Sequence, residues 1–370
     1  MHIAIAHPQA TLQTGSGDVC EPGMTSSRSS KHEMTLRPRR VLFVELIGGI
    51  GDLVIALPAI QALSRSYPAA ELTVLAYGPG TTLLDHDPHV AKAITVDEST
   101  GERAARLAAD DVLQHGDFDL IVSDANYDGI DEAVARSGAA RVVTNLWRQP
   151  PPDERTSERF LRLLAADGVI SPEMIAPPQI YLTDEERRRA RDRIGDRPRP
   201  YIFLCPDSGK RVKCWPPTSF AWVGRQLARQ RGGTLIVPAS DNLEAAESIV
   251  TSIGDAAVVW PRGPLRDMTS ALSHADLVVA ADTGLAHIAA ALQVPVIVLF
   301  GPTSPARYGQ SAPNINLQGY PACRERSPIN YTTQRCWQND CCPYGVWPSC
   351  LVTIPPEDVV ASALSLLDTT

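Results

Sequence analysis

Lysine is almost missing from this chain: of 34 basic residues only Lys31, Lys92, Lys210 and Lys213 are Lys, the rest Arg. Basic charge as a whole is also short, since 42 acidic residues leave a net charge of −8. Without an overall basic field, a dedicated binder of nucleic-acid backbones is excluded. Long hydrophobic runs are absent too; the longest, such as Val294 to Phe300, have strand length. A membrane-crossing helix needs about 20 apolar residues and has no candidate here. Aromatics are few at 6%, yet 44% of the residues are apolar and 21% charged, the balance of a globular protein rather than a disordered one. The 370 residues suffice for two or three domains at roughly 150 residues each.

Residues 1–38 have neither an apolar core segment nor a cleavage-site pattern and read as a disordered tail, with Met34 a candidate true start. Eight Cys without an export signal place the chain in a reducing cytoplasm. From Arg40 onward, short β-branched runs alternate with helix-period stretches, the pattern of a parallel sheet wound with helices, and the pattern occurs twice. Strands are expected at Val41 to Leu46, Glu71 to Ala76, Ala93 to Val96, Asp119 to Ser123 and Arg141 to Thr144. A second set follows at Tyr201 to Cys205, Thr234 to Pro238, Ala256 to Trp260, Asp276 to Ala281 and Val294 to Phe300. The clearest helix of the first half runs from Leu53 to Tyr67, and a charged one from Thr183 to Ile194 follows three prolines at 150–152. The expected organisation is α/β: a first Rossmann-like domain over 39–182, a second over 183–354, and a final helix over 355–370 packing back across the domains.

In doubly wound sheets ligands bind beyond the carboxyl ends of strands, so the residues just after strands are the ones to inspect. After the first strand come Gly48, Gly49, Gly51 and Asp52. Their spacing is not the Gly-x-Gly-x-x-Gly of a dinucleotide site, which disfavours a nicotinamide dehydrogenase. Asp52 at a helix start has two readings, an N-cap or a general base at the cleft mouth. After the first strand of the second half come Ser208, Gly209, Lys210, Arg211 and Lys213, a hydroxyl, a glycine and three cations suited to an anionic phosphate. In a chain so poor in Lys, two of them four positions apart stand out.

The sequence Asp282-Thr283-Gly284-Leu285-Ala286-His287 follows a further strand, and the apolar period of Leu285, Ile288, Ala289 and Leu292 starts a helix near Thr283. Its free amides suit a diphosphate; Asp282 would then face sugar hydroxyls or cap the helix, and His287 lies in the first turn. Between these segments, Glu244 follows the loop Ser240-Asp241-Asn242, where an acid can accept ribose hydroxyls or cap a helix. Five of the Cys fall within 28 residues, but Cys336, Cys341, Cys342 and Cys350, with Cys323 upstream, lack a zinc knuckle, so no metal is expected and buried thiols supporting a loop are the default.

Taken together these residues resemble glycosyltransferase family 9, the ADP-heptose:lipopolysaccharide heptosyltransferases. The likeness covers roughly residues 40–365 and rests on Gly51-Asp52, Lys213-Cys214-Trp215-Pro216, Asp282-Thr283-Gly284 with His287, Phe300-Gly301-Pro302-Thr303, and Cys342-Pro343-Tyr344-Gly345 leading to Cys350-Leu351. It implies a GT-B fold, two Rossmann-like domains facing across a cleft, and inverting, metal-independent transfer from an ADP-sugar that serves as co-substrate, with no cofactor. By that resemblance Asp52 is the base and Lys213 the phosphate lysine; Ser208 and the Thr283 and Gly284 amides share the charge of the leaving ADP. Asp282 holds the transferred sugar, His287 sits near the diphosphate, and Glu244 matches the ribose acid.

Residues 41–140 hold 16 Asp and Glu against 5 Lys and Arg, a net of −11 in the acceptor half. That field opposes encounter with a polyanion, so the expected acceptor is a small neutral or cationic scaffold offering a hydroxyl or amine. A lipopolysaccharide core acceptor, with peripheral membrane contact, is the alternative, followed by a nucleotide-sugar epimerase and a non-catalytic nucleotide-sugar binder.

Overall fold

The computed structural model describes residues 37–97, 103–144, 146, 153–239, 243–327, 330–345 and 349–369. The tail up to residue 36, the prolines at 150–152 and the loop 240–242 lie outside the described residues.

The strands are β1 (Arg40–Glu45), β2 (Glu71–Tyr77), β3 (Lys92–Val96), β4 (Leu120–Ser123), β5 (Arg141–Val143), β6 (Tyr201–Cys205), β7 (Thr234–Pro238), β8 (Ala257–Trp260), β9 (Leu277–Ala281), β10 (Val296–Phe300) and β11 (Ile315–Gln318). The first-half helices are α1 (Ile50–Ser66), α2 (Ala104–His115), α3 (Ile130–Ala135) and α4 (Thr156–Ala166), with α5 (Asp184–Ile194) leading into the second half. Then come α6 (Pro217–Arg231), α7 (Leu243–Ile253), α8 (Leu265–Leu272), α9 (Gly284–Ala291), α10 (Pro305–Tyr308), α11 (Arg335–Asn339), α12 (Ser349–Val352) and α13 (Pro356–Thr369).

Two sheets form, in the orders β3-β2-β1-β4-β5 and β11-β10-β9-β6-β7-β8, and their strand pairs are parallel. Parallel sheets are covered on both faces, which is why β1, β4, β7, β9 and β10 read as unbroken apolar runs and are buried almost throughout. Strand order reverses between β1 and β4 in the first sheet and between β6 and β9 in the second. Those two switch points are where crevices open at strand ends. They place Glu45, Asp52 and Asp124 on one side, and the 206–213 loop and Asp282 on the other.

The halves meet through α1 and α9, which share one apolar cluster reaching into both sheets. A β-carbon on Gly284 would stand 2.9 Å from Ile50 Cγ2 and 3.0 Å from its Cβ, so only glycine admits this approach. Arg266 of α8 adds a polar tie: it donates to the carbonyls of Thr82 (3.0 Å), Asp85 (3.1 Å) and Tyr181 (2.8 Å) and to Glu186 Oε2 (2.7 Å). Glu186 also closes the capping box of α5 with Thr183, and the Arg266 hydrogen bond, chief among its partners, holds its carboxyl at about 2.

Three expectations change. Helix α1 starts at Ile50 rather than Leu53, because Gly49 takes the N-cap position with no side-chain bond. Asp52 is therefore the third helical residue and not a cap. Helix α13 packs on α6, β9 and β10 through Val359, Val360, Ala363 and Leu366, all within the second half, instead of lying across both domains. Its apolar stripe is buried there against the far face of the second sheet. Strand β11 is additional: Asn316 and Gln318 interrupt its apolar pattern at a half-buried edge.

Candidate active site

Gly48 and Gly49 bridge β1 to α1, and a β-carbon on Gly48 would overlap Asp52 Oδ2. Glycine there makes room for the carboxylate. Gly51, one turn of backbone away, faces the other half: its β-carbon would lie 3.4 Å from His287 Cδ2 and 3.7 Å from Gly284 Cα. Asp52 thus stands where the two helix N-termini meet. Burial raises its pKa; the charges of Lys213 and His287 pull it down and Asp282 pushes it up again, leaving it above the ordinary carboxylate value.

Behind Asp52 sit two carboxyls that sequence reasoning did not single out as functional. Glu45 ends β1 and Asp124 follows β4, both almost wholly buried. Burial first raises both well above the carboxylate range; the charges of Asp124 and Asp52 add to it at Glu45, and that of Asp52 adds to it at Asp124. Each keeps one buried oxygen without a hydrogen bond, Glu45 Oε2 and Asp124 Oδ1. Of the three, Asp52 is the one whose burial is countered by the charge of Lys213.

Across the cleft, Asp282 leaves β9 directly before α9. Its Oδ2 lies 3.3 Å from Lys213 Nζ and accepts from Thr303 Oγ1 at 2.6 Å, while its Oδ1 is 3.6 Å from His287 Nε2. Burial opposes ionisation of this group, but the Lys213 charge, His287 and Thr303 outweigh it and hold Asp282 well below the usual carboxylate range. Gln310 Nε2 lies 2.8 Å from His287 Nδ1. Donation from that amide to Nδ1 puts the ring proton on Nε2, facing Asp282.

Thr283 is the N-cap of α9 with no side-chain cap bond, and its carbonyl accepts from Ala286 N and His287 N. The first amides of α9, at Gly284 and Leu285, are left to meet an anion. Lys213 closes a short turn, Arg211–Lys213, in the loop after β6 that also carries Ser208 and Lys210. Beside it runs an aromatic wall: Tyr308 and Tyr331 have ring centroids 5.6 Å apart, Tyr331 and Trp337 4.4 Å. Burial and the neighbouring Tyr308 raise the pKa of Tyr331, and the charges of Asp52 and Asp282 add to it.

Of the residues picked from sequence, Asp52, Lys213, Asp282, Thr283, Gly284 and His287 converge, with Gly48, Gly49 and Gly51 shaping the approach and Ser208 and Lys210 on the adjoining loop. Glu244 is exposed in the first turn of α7, directly after the loop 240–242, and among the described residues makes no hydrogen bond or ion pair with this network. Thr303 follows β10, so inspection of strand ends finds it; Gln310, Tyr331 and Trp337 come from irregular segments with no sequence signal. The thiols regroup as well. Cys323, Cys336, Cys342 and Cys350 line one cavity with Val212 and Pro302, whereas Cys341 is exposed. Among the described residues no three His, Cys, Asp or Glu side chains are set to hold an ion, and burial raises Cys336 and carries Cys350 to about 11.

A carboxylate facing the Lys213 ammonium across a cleft can take a proton from one molecule, while the ammonium and the helix amides beside it receive the negative charge leaving another. Comparison with known proteins gives the family. The model of glycosyltransferase family 9 (heptosyltransferase) matches residues 128–329. Lipopolysaccharide heptosyltransferase 3 of Escherichia coli K12 is 24% identical over 342 residues, 86% of this chain and 95% of that protein. Among solved structures, the family 9 glycosyl transferase from Veillonella parvula DSM 2008 has a TM-score of 0.74 at 18% identity, covering 90% of this chain and 98% of that one. The E. coli ADP-heptose lps heptosyltransferase II gives 0.67 at 20% identity, covering 89% and 99%. The two-domain arrangement is the GT-B fold. Among the described residues no helix is long and apolar enough to cross a membrane.

Proposed function

Because the chain belongs to glycosyltransferase family 9, the heptosyltransferases, we propose that it moves a heptose, or a closely related sugar, from an ADP-sugar to an acceptor hydroxyl or amine. The observation that carries this reading is Asp52, a carboxylate of raised pKa facing Lys213 and the α9 amides across the cleft. Asp52 takes the proton of the acceptor hydroxyl as its oxygen attacks the anomeric carbon. The bond from that carbon to the diphosphate oxygen breaks, its electron pair leaves with ADP, and the proton stays on Asp52. Attack opposite the leaving group inverts the anomeric centre. Lys213, Lys210, Ser208 and the amides of Thr283 and Gly284 receive the developing diphosphate charge, so in this reading no resident metal or cofactor is required. Asp282, kept anionic by Lys213 and Thr303, is left to accept hydroxyls of the transferred sugar. ADP as the nucleotide comes from the heptosyltransferase named above.

For the acceptor, the net negative charge of the first half favours a neutral or cationic group next to the reacting hydroxyl. A lipopolysaccharide core acceptor, reached by peripheral contact at the cytoplasmic membrane face, is the second reading, favoured by the name of the E. coli relative. Transfer rates onto amine-bearing, neutral and phosphorylated glycolipid acceptors, each at low and high salt, separate them. We expect kcat/KM to be highest for uncharged or amine acceptors, and the rate on a phosphorylated core to be low and to rise as salt screens the repulsion. Fast, salt-insensitive transfer to the phosphorylated core would establish the second reading instead.

A further inference from the structure

The Lys loop is held from outside the second sheet by α11, a helix with no part in the reaction described above. Trp337 of α11 presents its ring to both lysines, with Lys210 Nζ 5.3 Å and Lys213 Nζ 5.8 Å from the ring centroid. Both distances are within the about 6 Å over which an ammonium is attracted by an indole face. At the end of the same helix Asp340 takes up φ 47°, and its carboxylate accepts from the amides of Arg211 at 3.2 Å and Val212 at 3.0 Å. One short helix thus fixes the loop backbone through Asp340 and its two ammonium groups through Trp337. Tyr331 also packs against the indole, 4.4 Å between centroids and 61° between planes, a contact that helps hold the ring in place.

We propose that Trp337, seconded by Asp340, is a positioning residue for the donor diphosphate: its indole face holds Lys210 and Lys213 side by side at the place the phosphates occupy. The inference rests on the ADP-sugar reading above. Two ammonium groups in one loop repel each other, and without an anion something must keep them together. The π face does so, and the diphosphate then finds both cations already in place, with little ordering left to be done on binding. Lys213 has Asp282 as a second anchor, whereas Lys210 depends more on the ring.

Calorimetric titration with ADP, and with inorganic pyrophosphate competing against ADP, tests this in the wild type and in Trp337→Leu, Trp337→Phe and Asp340→Asn. Trp337→Leu is expected to weaken ADP and pyrophosphate by the same factor, about tenfold, in line with a cation–π contact out of water. Trp337→Phe, which keeps a π face, should recover most of that loss, a rescue that simple packing by Leu does not give. Asp340→Asn should weaken both ligands about threefold, and it carries the test if Trp337→Leu does not fold. Unchanged ADP affinity in Trp337→Leu, or in Asp340→Asn where that variant carries the test, would overturn the proposal. So would a loss for ADP with none for pyrophosphate, which would mean that the ring stacks on the base. Failure of the wild type to bind ADP would overturn the donor reading itself and is told apart from these outcomes by the wild-type titration alone.

Discussion

Asp52→Asn should lower kcat about 10³-fold, within the range that a positioned general base contributes, while ADP binds as tightly as before or slightly better. Asn keeps the shape and occupies the space beneath Gly48, so what is lost is the ability to accept a proton. ADP affinity holds because the lost charge is negative and stood near Lys213 and His287. The wild type should show an acid limb in kcat/KM that the variant lacks. Burial raises the Asp52 pKa, so this limb lies above the ordinary carboxylate range: activity is absent where Asp52 is protonated and grows as pH rises through its folded pKa. Stability should move the opposite way from activity. An acid whose pKa is raised on folding binds its proton more tightly in the native state, so its ionisation at neutral pH weakens the fold. Asp52→Asn is therefore expected to raise the melting temperature while nearly abolishing turnover. Turnover within tenfold of wild type, measured with the same acceptor, would remove Asp52 as the base.

The second large effect concerns Lys213 and Asp282. Lys213→Met leaves Asp282 a buried carboxylate whose chief cationic partner is gone, with Thr303 and His287 to support it. Removing one member of a buried ion pair costs about 3 kcal/mol. At 2 to 4 °C per kcal/mol for a domain of this size, the melting temperature should fall by about 6–12 °C at neutral pH. In the wild type Asp282 is held well below its unfolded pKa, so it stabilises the fold above that value and the contribution is lost as pH falls through the folded pKa. The deficit of Lys213→Met should therefore shrink towards acid pH, where its Asp282 can take up a proton. Adding Asp282→Asn to Lys213→Met should return most of the stability, since no buried charge remains, but none of the donor affinity. Melting curves and ADP titrations on the two single variants and the double variant check this. Recovery of ADP binding along with stability in the double variant would show that Lys213 serves the fold and not the diphosphate.

How much of this can be read from residues alone depends on whether a feature is local. Strands β1, β4, β7, β9 and β10 are legible because a parallel sheet covered on both faces demands continuous apolar runs. Strand β11 is not, since Asn316 and Gln318 are spent on loops: Gln318 Nε2 donates to the carbonyls of Phe300 (2.9 Å) and Gly301 (3.0 Å), and Asn316 exchanges hydrogen bonds with Gln310. Asp52, Lys213 and Asp282 stand just beyond strand ends, where parallel sheets put their ligands, so topology finds them before any contact is known. Their partnership is different. Nothing in the spacing of Lys213 and Asp282 says that they pair, or that Thr303 joins them. Glu45 reads as the last residue of an apolar strand and Asp124 as a loop acid; the burial that raises both, and their place behind Asp52, follow from β1 and β4 being neighbours at the switch point. Trp337 lies 124 positions after Lys213 in a segment rich in Cys and Pro, whose composition suggested a thiol-braced loop and hid its contact with the lysines. The Glu244 reading is one that topology alone does not decide: an acid after a strand is as good a helix N-terminal residue as a ribose ligand, and in α7 it stands exposed at the helix start.

An ADP-activated heptose is the donor in this mechanism, and titration of the purified protein with ADP-heptose beside UDP- and GDP-sugars tests that most directly. One ADP-heptose should bind per chain, more tightly than ADP alone. At about 100 times its dissociation constant it should stabilise the fold by about 2.7 kcal/mol, with no comparable response to the other nucleotides. Preference for a UDP- or GDP-sugar, or no binding of any of them, would contradict it.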